Sequence, residues 1–367
     1  MHARGLFLVY RGGEDTVKGL RTIQPYVPGE QPKLKDIIKL NTNENAYPPS
    51  PRVTEAWQTF DPKQLRYYSA LANPDLVKAL ADKHQVPSQW ITTTNGSDDS
   101  LALAFQSFFQ SDDPIVFPDL TYGFYSVWCE LFHIPYQEVP LAADFTFDLS
   151  QLPEKIGGIV LANPNAPTGI GKPAAEIENL LQAYPGCVVI VDEAYQAFGG
   201  ESVIPLVEKY DNLYVTRTFS KDAALAGLRV GYGIGGERLT GVIQAVKNSY
   251  NPYAVDSIAE HLATVAAKDV SYYEEINQKI CATRADFIAA LSQLGFITLP
   301  SQTNFVLTTH PLVSAQLLFE SLKAATIFVR YFPEKERIAN YLRITIGTDE
   351  EMAEVVTVLK KVIEETT

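Results

Sequence analysis

Lys221 stands in the run TRTFSKDAALAGLRVGYG, directly after a β-type segment that closes at Ser220. A lysine at a strand end is, on its own, an ordinary surface residue. The chemistry of its surroundings changes that reading. VVIVDEAY (188–195) reads as a buried strand whose end carries Asp192 and Tyr195. GGIVLANPNAPTG (157–169) reads as another, ending on Asn163, Asn165 and a Pro-Thr-Gly turn. Open parallel sheets bind ligands beyond the carboxyl ends of their strands. Three such ends deliver an amine, a carboxylate, a phenol and amides to one crevice. That set suits pyridoxal phosphate. The amine bonds its aldehyde carbon, the carboxylate keeps its pyridine nitrogen protonated, and the phenol donates to its ring oxygen.

A phosphate needs donors, and the segment TTTNGSDDSLALAFQSFF places Gly96, Ser97 and Asp98 at the start of a helical pattern. Free N–H groups and the dipole at a helix N-terminus favour an anion. The bland alternative is that Asn95 to Asp99 merely cap the helix. Thr218, Ser220 and Arg229 are candidate further donors. Tyr122, after the strand PIVFP, is a candidate to stack on a planar ring, with a core aromatic as the alternative.

These residues need a frame. Between about 50 and 260, short apolar runs alternate with helical patterns at 74–86, 99–109, 121–132 and 174–185. Asn73 is the candidate N-cap of the first, with Pro74 in its first position. Such alternation predicts a largely parallel sheet with helices on both faces. From about 266 to 367 the order becomes α+β: a long helical stretch (270–294), short strands including FVRYF and YLRITIG, and a final amphipathic helix. The reading is therefore a leader (1–17), an extended Pro- and Gly-containing arm (18–46) returning to the smaller domain, a large domain (47–265) and a small one (266–367).

The 367 residues carry 30 Lys and Arg against 43 Asp and Glu, a formal net charge of −13. An acidic chain is a poor partner for a phosphate backbone or an anionic membrane. No apolar stretch approaches the ~18 residues of a membrane span. The six-residue run Gly5–Tyr10 falls short of the ~7–15 residues of a signal-peptide core. Three dispersed cysteines (Cys129, Cys187, Cys281) and five scattered histidines fit a reducing, cytoplasmic compartment and no metal centre.

Read in order, YVPGEQP, KLNTNENAYPPSP, LRYY, NGSDDSL, PDLTYGFYSVW, NPNAPTG, VIVDEAY, TFSKDAALAGLRVGYG, SQTNFVL, FVRYF and LRITIGTDEEM make the chain, from about residue 18 to its end, resemble the fold type I pyridoxal phosphate aminotransferases. Among them it is most similar to the histidinol-phosphate aminotransferases. The resemblance implies an α/β fold: a large domain with a mostly parallel seven-stranded sheet, plus a smaller α+β domain. It implies that Lys221 bonds the cofactor and moves the proton, that Asp192 meets the pyridine nitrogen and that Tyr195 meets the ring oxygen. Tyr122 looks like the stacking ring. Ser97, Asp98, Thr218, Ser220 and Arg229 match the phosphate cradle, and Tyr67 in LRYY matches a tyrosine that reaches the cofactor phosphate of a neighbouring subunit. Arg343, Arg330 and Tyr26 are similar to groups that face a substrate phosphate, and Asn45 lies in a segment that lines the substrate pocket. One departure stands out: where many relatives have a second asparagine, this chain has Ala166, and Asn165 is the candidate substitute.

The implied reaction moves an amino group between L-histidinol phosphate and 2-oxoglutarate (with glutamate as its product) in two half-reactions, within a homodimer with shared sites. An aromatic amino-acid aminotransferase would share almost all these motifs. Two readings of another class compete: a non-catalytic binding protein on the same fold, and a dinucleotide fingerprint in which Gly231, Gly233 and Gly236 form G-x-G-x-x-G with Asp256 beyond.

Overall fold

A computed structural model describes residues 19–34 and 36–366. The leader expected over 1–17 lies outside them. In chain order the first elements are β1 (Ile38–Leu40), α1 (Pro51–Thr59), α2 (Pro74–His84), β2 (Ile91–Thr94), α3 (Ser97–Phe108), β3 (Ile115–Pro118), α4 (Phe124–Phe132) and β4 (Tyr136–Val139). Then come β5 (Gly158–Ala162), α5 (Ala174–Ala183), β6 (Val188–Asp192), β7 (Leu213–Thr218), β8 (Gly231–Gly235), α6 (Glu237–Tyr250) and α7 (Ser257–Lys268). The last are α8 (Val270–Gln293), β9 (Ile297–Thr298), β10 (Phe305–Thr309), α9 (Ala315–Ala324), β11 (Ile327–Tyr331), β12 (Leu342–Thr345) and α10 (Asp349–Thr366).

Seven strands form one sheet in the order β2-β8-β7-β6-β5-β3-β4. The run from β7 to β4 is parallel, and β8 is antiparallel to both its neighbours. Its central strands are buried on both faces: Ile159, Val160, Val189, Ile190 and Val215 are fully covered. That is why they read as continuous apolar runs. The second sheet has the order β1-β11-β12-β10-β9. The arm reaches it directly, since β1 pairs in parallel with β11, Ile38 opposite Ile327 and Leu40 opposite Val329. Helix α8 links the two cores. Its first turns place Tyr273 and Ile276 in the core of the large sheet, and its later turns place Ile280, Phe287 and Leu291 in the core of the small one.

Two expectations are corrected here. Gly231 and Gly233 belong to strand β8, not to a phosphate-binding turn. A Cβ on Gly233 would lie 1.8 Å from the Tyr214 hydroxyl, and one on Gly231 would lie 2.4 Å from the Ser97 nitrogen. These glycines give room to a buried tyrosine and to the start of α3. Asp256 caps α7, accepting from the Ala259 N–H at 2.8 Å. Asn73 does not cap α2 with its side chain. It accepts from the Thr93 hydroxyl at 2.8 Å and donates to Glu260 at 3.0 Å, tying α2 to β2 and α7.

Candidate active site

Strands β5, β6 and β7 run parallel, so their carboxyl ends open on one side of the sheet. A cavity of about 240 Å³ sits there. Its walls include Ser97, Asp98, Tyr122, Asp192, Tyr195, Thr218, Ser220, Lys221 and Arg229. Nine separately predicted residues thus converge.

At the deep end, Asp192 is 5% exposed. Its Oδ1 accepts from the Ala194 N–H at 3.2 Å and the Thr216 hydroxyl at 3.3 Å, and its Oδ2 accepts from the Tyr125 hydroxyl at 3.2 Å. Burial pushes its carboxyl up to about 6 despite these donors. At the other end lies the cradle. Helix α3 begins at Ser97, after Gly96 at φ +83°. A Cβ on Gly96 would lie 2.5 Å from Arg229 Nη2, so the bare glycine lets the guanidinium close over the turn. Arg229 donates to the Ser220 hydroxyl and to Asp98, both at 3.3 Å, and the Thr218 hydroxyl donates to that of Ser220 at 2.9 Å. Tyr122 donates to Asp98 Oδ1 at 2.7 Å, which holds its ring as a wall. No side chain caps α3, whose N-cap is Gly96; Asp99 instead accepts from the Asn95 N–H, one residue earlier, at 2.9 Å.

Between the two ends, Lys221 Nζ donates to the Thr42 carbonyl at 3.0 Å. Burial, helped by the charge of Arg343, lowers its amine to about 8. Tyr195 accepts from Asn43 Nδ2 at 2.9 Å. Donors for a phosphate at one end, a buried acid at the other and an amine between them fit the pyridoxal phosphate that the resemblance implies. One consequence is measurable. Bond formation with an aldehyde needs the free amine, so attachment of added pyridoxal phosphate to cofactor-free protein should rise with a midpoint near pH 8. At pH 7 the free-amine fraction is then roughly 300-fold that of an ordinary lysine. Stopped-flow absorbance checks this, and a midpoint above about pH 10 would refute the lowered amine.

The substrate side is contributed by the small sheet and the arm. Arg330 on β11 and Arg343 on β12 are directly opposite each other. Arg343 Nη2 donates to the Asn41 carbonyl at 3.0 Å, and its buried Nε has no acceptor within the described residues. Its guanidinium lies over the rings of Phe305 (5.2 Å) and Phe332 (5.6 Å). Arg330 donates to the Pro28 carbonyl at 3.4 Å. Tyr26 stacks on Phe124 with centroids 4.2 Å apart. Burial holds the Arg343 guanidinium below its ordinary proton affinity, and the charge of Arg330 adds to that.

A family model for aminotransferases of class I and II matches residues 35–359. The chain belongs to that family. Curated relatives include the histidinol-phosphate aminotransferases of Lactococcus lactis subsp. cremoris (strain MG1363), 45% identical over 93% of this chain and 96% of the relative, and of Acinetobacter baumannii (strain SDF), 44% identical over 93% and 95%. The crystal structure of histidinol-phosphate aminotransferase from Sinorhizobium meliloti in complex with pyridoxal-5'-phosphate aligns with a TM-score of 0.81 at 26% identity, covering 90% of this chain and 92% of that one. The fold type I architecture expected from the sequence is thereby established.

Tyr26, Arg330 and Arg343 are not part of the wall of this cavity, and three further expected site residues of this aminotransferase sit elsewhere. Asn165 does not line the cavity. Its amide donates to the Leu120 carbonyl and the Thr168 hydroxyl and its oxygen accepts from Thr121, so it is spent on the turn. Ala166 is the wall at that point. Asn45 likewise faces inward, donating to the Lys221 carbonyl at 2.8 Å and so fixing the backbone behind the amine. Tyr67 is 63% exposed and turns toward Arg66, away from the cavity of its own chain. Sequence reasoning missed Thr42, Asn43, Glu44 and Tyr125. The first three adjoin Asn45 in NTNEN, where the density of amides and an acid between two loop-forming stretches was the available signal.

Proposed function

We propose that this aminotransferase moves the amino group of L-histidinol phosphate to 2-oxoglutarate, with pyridoxal phosphate held at Lys221, as a step of histidine biosynthesis. The observation that carries this reading is the cross-strand pair Arg330 and Arg343, the second of which acts on the Lys221 amine. A phosphate takes several charge-assisted donors, and two guanidinium groups plus the Tyr26 hydroxyl supply them. The 45% identity to a histidinol-phosphate aminotransferase supports the same choice. When bound, the cofactor serves as an electron sink for the carbon that loses its proton. The protein does the rest. Lys221 Nζ, with its lowered affinity for protons, would take the proton from that carbon and return it to the carbon on the other side of the transferred nitrogen. Asp192 would hold the positive ring nitrogen, and Tyr195, positioned by Asn43, would donate to the ring oxygen. Amine donor and keto acceptor use the same site in turn, which makes the kinetics ping-pong.

The functional unit is read as a homodimer. Tyr67, Tyr68 (82% exposed), Leu71 (61%) and Tyr250 (74%) leave an apolar surface uncovered in one chain. Tyr68 stacks on Tyr253 with centroids 4.5 Å apart, joining the patches on either side. A second copy covering that face would bring Tyr67 to the neighbour's phosphate cradle. Three free cysteines support a cytoplasmic setting. No helix among the described residues is long and apolar enough to cross a membrane.

The test is a half-reaction titration followed by absorbance. L-Histidinol phosphate should bleach the cofactor band at micromolar concentration, and L-phenylalanine only at millimolar. Equal responses would favour a broad aromatic aminotransferase. Arg330→Ala should weaken the response to histidinol phosphate by about 2–5 kcal/mol while leaving phenylalanine nearly unchanged. Equal losses for both donors would make Arg330 a structural residue.

A further inference from the structure

The proposed donor carries three groups on neighbouring carbons: an amine, a phosphate and an imidazole ring. Lys221 receives the first and the arginine pair the second, which leaves the ring without a partner. A ring nitrogen that keeps its proton needs an acceptor, and a protonated ring needs an anion. Three carboxylates line the cavity: Asp98, Asp192 and Glu44. Asp98 is engaged by Tyr122 and Arg229. Asp192 is engaged by Tyr125, Thr216 and the Ala194 N–H at the deep end. Glu44 differs. Its Oε2 accepts from the Thr42 hydroxyl at 2.6 Å and from the Lys39 ammonium, and its Oε1 accepts nothing from the described residues. The side chain is 41% exposed, on a wall shared with Lys221.

Its placement is determined by the chain around it. Thr42 gives its carbonyl to Lys221 Nζ. Asn43 donates to Tyr195 and its N–H to the Thr345 hydroxyl on β12. Asn45 donates to the Lys221 carbonyl. Glu44 sits between these fixed points, so its backbone has little freedom. Burial alone would raise its proton affinity, but the bonds from Lys39 and Thr42 outweigh that and hold it below the ordinary carboxylate range. Lys39 and Lys221 are the charged groups that act on it.

Resting on the histidinol phosphate reading, we propose that Glu44 is the specificity residue for the donor's ring, its free Oε1 accepting the imidazole N–H. Lys39 and Thr42 clamp the other oxygen, so the acceptor is oriented before the donor arrives. A phenyl ring offers no N–H and leaves Oε1 to water. Glu44 therefore separates an imidazole donor from an aromatic one, while the arginines separate phosphate from carboxylate.

The experiment compares wild type with Glu44→Gln in the L-histidinol phosphate and L-phenylalanine half-reactions between pH 5.5 and 8.5. The variant should raise KM for histidinol phosphate roughly tenfold or more, with kcat within about threefold and phenylalanine within about twofold. The KM ratio of variant to wild type for histidinol phosphate should also grow as pH falls through ~6.5, where the imidazole gains its proton. Taking that ratio cancels the titration of the donor's own phosphate. A KM rise equal for both donors, or a ratio flat with pH, overturns the assignment to Glu44 and leaves the histidinol phosphate reading standing. A wild type inactive on histidinol phosphate overturns both. If Glu44→Gln loses its cofactor band, Glu44→Asp is measured instead. It keeps the charge at shorter reach and should preserve the wild-type pH dependence with a raised KM for histidinol phosphate alone; any other pattern refutes the assignment.

Discussion

Replacing Lys221 with alanine is expected to leave a protein that still holds pyridoxal phosphate but turns over at less than ~10⁻⁴ of the wild-type rate. The cradle of Ser97, Thr218, Ser220 and Arg229 is untouched, and so are Asp192 and Tyr122, which supports retention of the cofactor. What disappears is the covalent tether and the only amine among the described residues that line the cavity. Loss of a positioned base alone costs about 10²–10⁴-fold, and loss of the covalent route adds to it. The readout is multiple turnover with the donor and 2-oxoglutarate, alongside the absorbance of bound cofactor. Sustained turnover above about 1% of wild type would mean that another group moves the proton.

The second large effect belongs to Asp192→Asn. The substitution keeps size and shape, and the Tyr125 hydroxyl can turn to accept from the new amide. It removes the one charge placed to hold a positive ring nitrogen. Leaving a buried charge without its partner costs about 3–5 kcal/mol, so the amino-transfer rate should fall ~10²–10⁴-fold. Stability of the cofactor-free protein should move the other way. The carboxyl of Asp192 is raised from 3.8 to about 6 in the folded protein. Between those values the folded state binds the extra proton, so this group costs stability as pH rises through the window. The variant should therefore melt higher than wild type above about pH 6, and the gain should vanish near pH 4. Calorimetry at three pH values checks this. A variant less stable at pH 8 would mean that the carboxylate, and not the space it fills, holds the strand end together.

Much of this was legible in the sequence because the chemistry lies at strand ends, and strand ends can be read. The apolar runs of β5, β6 and β7 locate Lys221, Asp192 and Tyr195 without knowledge of the sheet order. The glycine before α3 does the same for the phosphate cradle. Strand β8 was not legible, since three of the five residues of GYGIG are glycines. Its glycines answer to Tyr214 and to the first turn of α3, which are distant in sequence. Asn165 and Asn45 misled for one reason: an amide in a polar loop serves the backbone as readily as a ligand, and only the folded turn decides. The roles of Asn43 and Glu44 depend on β1 meeting β11, a pairing between residues 38–40 and 327–329 that local pattern cannot announce. Tyr67 in a single chain packs on Arg66 and is absent from the cavity wall, because its proposed partner lies on a second copy.

The pairing of β1 with β11 also sets a schedule. Thr42, Asn43 and Glu44 are made before the strands of the large sheet, yet the strand that seats them is made almost three hundred residues later. During synthesis the large sheet can close and present Lys221, Asp192 and the cradle while the wall nearest the amine is still absent. The wall nearest the amine is seated only once β11 has paired with β1. A chain without β11 would lose the pairing that seats Thr42, Asn43 and Glu44 against Lys221 and Tyr195.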